Sequence, residues 1–223
     1  MANDKKVFLI VGLGRFGISL AEKLVELGQT VIGVDNMLAP ITEMSEKIDV
    51  AAQIDVEDEA SLIKIGAKEV DVAIVAIGEA IEASILCTSI LVEIGVPVVI
   101  ARAANAVHAK VLKRVGAHTI ILPESEMGQH MAENLVYPWY ASFTKIEGGD
   151  FVLGKINPTK DMIGKTIAEL RFLQRYNVVV VLLEHDGEQF APSPSRPFDI
   201  EDKLWVLGHK TNMDKIIDKE SEE

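Results

Sequence analysis

Along the first 137 residues, continuously apolar runs of strand length alternate with segments whose apolar positions recur every three to four residues. The runs are KVFLIVG, TVIGVD, VAAQID, DVAIVAI, PVVIAR and HTIIL, and the helical segments fall at about 16–27, 38–48, 57–65, 80–94, 105–115 and 124–136. A strand with one face in water alternates apolar and polar residues, whereas a strand buried on both faces does not. The pattern therefore predicts an α/β domain: a Rossmann-like, doubly wound parallel sheet with strand order 3-2-1-4-5-6.

The pattern changes at Tyr137-Pro138, within the aromatic stretch VYPWYASF. Short strand-like pieces follow: FTKIEG, FVLGKINP, NVVVVLLEHDG, EQFAPS and KLWVLGH. Helical segments are expected near 164–171 and 211–218, a loop at APSPSRPF, and a frayed tail at DKESEE. The Asp-Gly pair at 186–187 predicts a hairpin turn. The expected organisation is thus a Rossmann-like domain, 1–137, and a smaller α+β lobe, 138–223.

Of 223 residues, 48% are hydrophobic, enough for a sizeable core, and the net charge is -12. That balance opposes a nucleic-acid binder, which needs a basic face, and broad attachment to anionic lipid. No apolar run approaches the ~20 residues that span a bilayer, so no direct membrane insertion is expected. Cys87 lies in a helical apolar pattern and is expected in the core. Met37, Met44, Met127 and Met131 are expected in cores or interfaces, and the aromatic stretch either at a dimer surface or between the lobes. The five histidines lack zinc-ligand spacing, and no G-x-S-x-G elbow supplies a hydrolase nucleophile. No catalytic residue is assigned.

The chemistry concentrates in GLGRFG, where Gly12, Gly14 and Gly17 follow an apolar strand and open an amphipathic helix. In that context the glycines serve a tight turn, close approach of a phosphate, and packing of helix on strand, while the helix start offers free N–H groups. Asp35 ends the second strand, where a carboxylate accepts from both ribose hydroxyls and repels a 2′-phosphate. Beside it stands Asn36; Asp55 ends the third strand, near the expected adenine edge. Ala76, Ile77, Gly78 and Glu79 follow the fourth strand, and Arg102 ends the fifth, facing the same crevice. Arg15, with Phe16, sits on the lip of the turn, either as a contact for a terminal phosphate or as a solvated helix-start arginine. NAD is the default ligand of the fingerprint; Arg15 favours a nucleotide with more terminal charge.

With GLGRFG, VIGVD, VAIGEAIEASIL and VLKRVGAHTIILPESEMG in order, the chain resembles the RCK (KTN) family. These are cytosolic regulators of potassium channels and of Trk- and Ktr-type transporters, and the two-lobed Ktr-type subunits are the most similar. The resemblance implies ATP or ADP, or NAD and NADH in some members, as ligands. It implies that Arg15 reaches the γ-phosphate of ATP in a neighbouring subunit. It also implies that Glu124 holds a divalent cation, Mg or Ca, near that phosphate; a helix-start acid without a metal is the alternative. Homodimers are implied to assemble into an octameric ring that gates a membrane pore made by a separate protein. In Ktr-type relatives the second lobe can bind cyclic di-AMP. Ile163, Asn177 and Pro192 lie in suitable segments, but LQRYN places Leu173 where the family has arginine, leaving Arg171 and Arg175 to compensate. Two other readings stand beside this one: an NAD-dependent dehydrogenase, and an NADH-binding redox sensor that contacts DNA.

Overall fold

The structure, a computed structural model, describes residues 5–213 and 215–217. The tail DKESEE and the far end of the helix expected at 211–218 lie outside them. Two compact units are present, Met1–Met127 and Gly128–Glu223. The division falls within a helix, ahead of the 137/138 position at which the sequence pattern changes.

The first unit carries strands β1 (Val7–Val11), β2 (Thr30–Asp35), β3 (Val50–Gln53), β4 (Val72–Val75), β5 (Val98–Arg102) and β6 (Thr119–Ile121). They pair in the order β3-β2-β1-β4-β5-β6, every neighbour parallel. Helices α1 (Arg15–Glu26), α2 (Leu38–Met44), α3 (Glu59–Lys64), α4 (Ile81–Glu93), α5 (Ala106–Arg114) and α6 (Pro123–Val136) make or begin the connections. The central strand shows why its sequence is continuously apolar. Leu9 and Val11 pack with Cys87, Leu91 and Leu112 on one side of the sheet. Ile10 packs with Ile74, Ala21 and Met44 on the other. Both faces are dry, as a parallel sheet under helices requires. Side chains cap two of the helices: Asp58 accepts from Ser61 N–H at 3.0 Å, and Asn105 from His108 N–H at 2.9 Å.

The second unit is an antiparallel sheet of β7 (Phe143–Lys145), β8 (Phe151–Ile156), β9 (Val178–His185), β10 (Glu188–Phe190) and β11 (Lys203–His209), ordered β10-β9-β11-β8-β7. Its helices are α7 (Ile167–Leu170), α8 (Phe172–Tyr176) and α9 (Lys210–Met213). The β9–β10 hairpin turns through Asp186 at φ 49° and Gly187 at φ 81°, the paired positive angles that an Asp-Gly turn supplies. The helix expected near 164–171 is the short α7, and α8 follows beyond that range, where no helix is expected. Thr166 and Glu169 form a capping box at the start of α7, and Arg171 at φ 46° separates it from α8. Tyr140 and Phe143 are buried in this unit's own core, with Trp139 edge-on to Phe143 at 5.1 Å between centroids. Of the four methionines singled out, Met44 is buried and Met37, Met127 and Met131 are exposed.

Candidate functional site

The site begins where β1 ends. Gly12 turns at φ +96° and its N–H donates to the Val34 carbonyl at 2.8 Å. A Cβ on Gly17 would overlap the Gly12 carbonyl oxygen, so glycine lets α1 seat directly on the turn. Gly14 differs: the position of its missing Cβ has nothing within 4 Å. That space opens above the start of α1, where Gly14 provides no side-chain cap and the first turn holds no acid. The N–H groups of that turn, which lack intrahelical acceptors, face no internal anion of their own helix.

Asp35, at the end of β2, braces the turn. Its Oδ2 accepts from the Leu13 N–H at 2.7 Å and its Oδ1 from the Met37 N–H at 2.8 Å. Each carboxylate oxygen retains a second lone pair for an outside donor. Asp55 is oriented similarly, accepting from the Glu57 N–H at 2.9 Å, and Gln53 donates to the Asn36 carbonyl at 3.0 Å.

These elements enclose a cleft of about 600 Å³. Gly12, Gly14, Arg15, Phe16, Asp35, Asn36, Asp55, Ala76, Ile77, Gly78, Glu79, Arg102 and Glu124 all line it. Gly17 does not; it is buried beneath the turn. The lining also includes Val56, Glu57, Ala80 and Ala83, to which the sequence alone assigns no role, and Met37, which is expected in a core or interface. The two alanines begin the run of α4 behind VAIGE, and their small side chains were the available signal. By contrast, a cavity in the second unit beside Trp139 and Lys210 holds about 120 Å³, below the usual range for a nucleotide-sized ligand.

Arg102 and Glu124 meet at one wall. The Arg102 guanidinium pairs with the Glu124 carboxylate and donates, at 3.4 Å, to the Ala76 carbonyl. It lies over Gly78, where a Cβ would come within 2.5 Å of Nη1, and 5.9 Å from the Phe16 ring centroid. Glu124 stands in the first turn of α6, and its own backbone N–H holds its carboxyl below the usual range, with Arg102 and then Arg15 adding to the effect. Arg15 is exposed and makes no hydrogen bond or ion pair with another described residue. A divalent cation on Glu124 would have to share that carboxylate with Arg102, and one carboxylate is too few ligands, so phosphate oxygens and water would complete its shell.

In the second unit, Arg171 and Leu173 border a shallow groove with Ile167, Ala168, Phe172 and Gln174; Ile163, Asn177 and Pro192 do not line it. Arg175 approaches Asp161 at 3.6 Å and lies 5.0 Å from the Tyr176 ring centroid. His185, Asp186 and Glu201 bring ligand atoms within 4.8 Å of one another, a grouping made by the fold rather than by local histidine spacing.

Comparison with known proteins agrees with this architecture. The TrkA-N domain model matches residues 8–123 and the TrkA-C domain model residues 155–220. The Ktr system potassium uptake protein C of Bacillus subtilis is 33% identical over 213 residues, covering 95% of this chain and 96% of the relative. The Ktr system potassium uptake protein A of the same organism is 29% identical, with 95% of each chain covered. Among solved structures, the GsuK channel bound to NAD shares the fold at TM-score 0.57 and 19% identity; the match covers 97% of this chain and 38% of that longer one.

Proposed function

The chain belongs to the RCK family of TrkA-N and TrkA-C domain proteins, and from that premise we propose that it is a cytosolic nucleotide-sensing subunit regulating a separate membrane potassium channel or transporter. One observation carries the nucleotide half of the proposal: a single cleft joins an open glycine turn, a doubly braced Asp35, and two arginines. The glycine turn and helix start receive phosphate, and the free lone pairs of Asp35 receive ribose hydroxyls. Asp35 also repels a 2′-phosphate, which disfavours NADP.

Between the remaining ligands we favour ATP and ADP over NAD and NADH, because Arg15 and Arg102 add cationic character beyond the glycine turn. A Mg or Ca ion on Glu124 belongs to the triphosphate complex in this reading. Cyclic di-AMP is disfavoured in the second unit, since Leu173 stands where the family has arginine.

The potassium half rests on the relatives, which are named as potassium uptake proteins and match over nearly their full length. No described helix is long and apolar enough to cross a membrane, so this chain would act on a pore formed by a partner. Dimers joined in an octameric ring would transmit the signal: ligands that bind two arrangements unequally shift the population between them. The protein would then lie against the inner face of the membrane through its partner.

The deciding experiment is calorimetric competition among ATP, ADP, NADH and NAD on the purified chain. Binding of at least one at micromolar concentration supports the proposal, and no binding of any removes it. Hydride transfer to or from simple alcohols or hydroxy acids would instead revive a dehydrogenase.

A further inference from the structure

Arg15 and Arg102 are the two cationic side chains lining the cleft, and they stand in different states. Arg15 is unpaired, whereas Arg102 is already occupied by a carboxylate from its own chain. The occupied arginine is the better fixed. It is held between the Ala76 carbonyl, the bare backbone of Gly78 and the Phe16 ring, and only 20% of its side chain is exposed. Its Nε is buried without a hydrogen-bond partner. Glu124 is 65% exposed on the outer turn of α6, so it can swing into water while the guanidinium stays in place.

A carboxylate on a guanidinium occupies the same donors that a phosphate would use. Building on the nucleotide reading above, we propose that Glu124 is an internal competitor for Arg102 and makes the cleft select for a terminal phosphate. A terminal phosphate brings roughly 1.5 to 2 negative charges and three acceptor oxygens, more than the carboxylate it displaces. The pyrophosphate of a dinucleotide is a diester, with no terminal group and a single charge on each phosphorus. It gains less from the exchange and leaves the Arg102–Glu124 pair closed.

The test is calorimetric titration of ATP, ADP and NAD+ with divalent cations chelated, using the intact chain. Glu124→Gln removes the competitor at an exposed position and should tighten ATP and ADP about two- to fivefold, the worth of a partly exposed ion pair, with NAD+ unchanged. Glu126→Gln, one turn-mate away and bonded instead to the Leu122 N–H, removes the same charge and should change none of the three. In an Arg102→Met background the Glu124→Gln gain should vanish; if that background does not fold, Arg102→Lys should reduce the gain, because a point charge cannot hold the paired geometry. Equal tightening of all three ligands, or an undiminished gain without Arg102, would mean simple charge repulsion and overturn the proposal. Weaker ATP binding in Glu124→Gln would overturn it too, by making the carboxylate a ligand contact. If the wild-type chain binds none of the three, the nucleotide reading itself fails.

Discussion

Gly14 and Gly17 share a motif and separate on substitution. A methyl group at Gly17 collides with the Gly12 carbonyl, which is backbone and cannot give way cheaply. Gly17→Ala should therefore cost about 1–3 kcal/mol of stability, read as a lowered melting temperature. At Gly14 the methyl meets open space and the φ of -72° suits any residue. Gly14→Ala should melt within about 0.5 kcal/mol of wild type yet lose nucleotide affinity, because the space it fills is the space proposed for phosphate. Unimpaired binding by folded Gly14→Ala would place the phosphate elsewhere. Asp35 combines the two roles, since its oxygens already hold the Leu13 and Met37 N–H groups. Asp35→Ala should weaken ATP, ADP and NADH alike, by roughly 1.5–3 kcal/mol for the lost charge-assisted bonds, or on the order of tenfold to a hundredfold. Unchanged affinities would sink the ribose assignment.

At the scale of elements, legibility followed burial. The parallel sheet could be read because strands such as Leu9–Val11 are dry on both faces and therefore apolar throughout. The hairpin could be read because Asp186-Gly187 announces its own backbone angles. Helix α8 could not, because the left-handed residues that bound it, Arg171 and Asn177, are not the glycine that usually marks such angles. In the site, the glycine turn and Asp35 follow from local chemistry, but the Arg102–Glu124 pair joins β5 to α6 and appears only when the sheet is assembled. The same holds for Asp202 in the second unit, a buried carboxylate gripped by Arg196 at 2.6 and 2.8 Å, by the Asp199 N–H at 2.8 Å and by His185 at 2.8 Å. Burial alone would raise its carboxyl; Arg196, Asp199 and His185 outweigh this and hold it below the usual carboxylate range. A depressed carboxyl stabilises the fold above its unfolded value and ceases to do so as pH falls through its folded one. Stability should thus drop on acidification below about pH 4 with a steeper slope in wild type than in Asp202→Asn. At pH 7 that variant should already be about 1–3 kcal/mol less stable. Denaturant melts across pH 2.5–7 compare the two, and parallel slopes would remove Asp202 as the source.

At the scale of the whole molecule, Arg15 is a cleft cation that no other described residue pairs. Exposed Met127, Met131 and Leu135 add an apolar stripe along α6 at the four-residue spacing of one helix face. Both fit a protein that works as at least a dimer, and light scattering at micromolar concentration should show no stable monomer. In that assembly Arg15 is proposed to meet the terminal phosphate of a nucleotide held mainly by the other subunit. ATP carries the γ-phosphate that ADP lacks, so Arg15→Ala should narrow the affinity gap between them while leaving the adenosine end intact. It should also blunt the conformational difference between the two complexes, because a contact made in one state only is what biases the equilibrium. Arg15→Lys should restore part of the gap, since it keeps the charge and loses the planar fork. Calorimetry with ATP and ADP in the presence of magnesium measures all three proteins. Equal weakening of both nucleotides would reduce Arg15 to a general phosphate anchor, and no weakening of either would return it to a solvated residue at a helix start. An ATP-specific loss in a protein that remains dimeric would tie the glycine-turn arginine to the step by which nucleotide identity becomes a change of state.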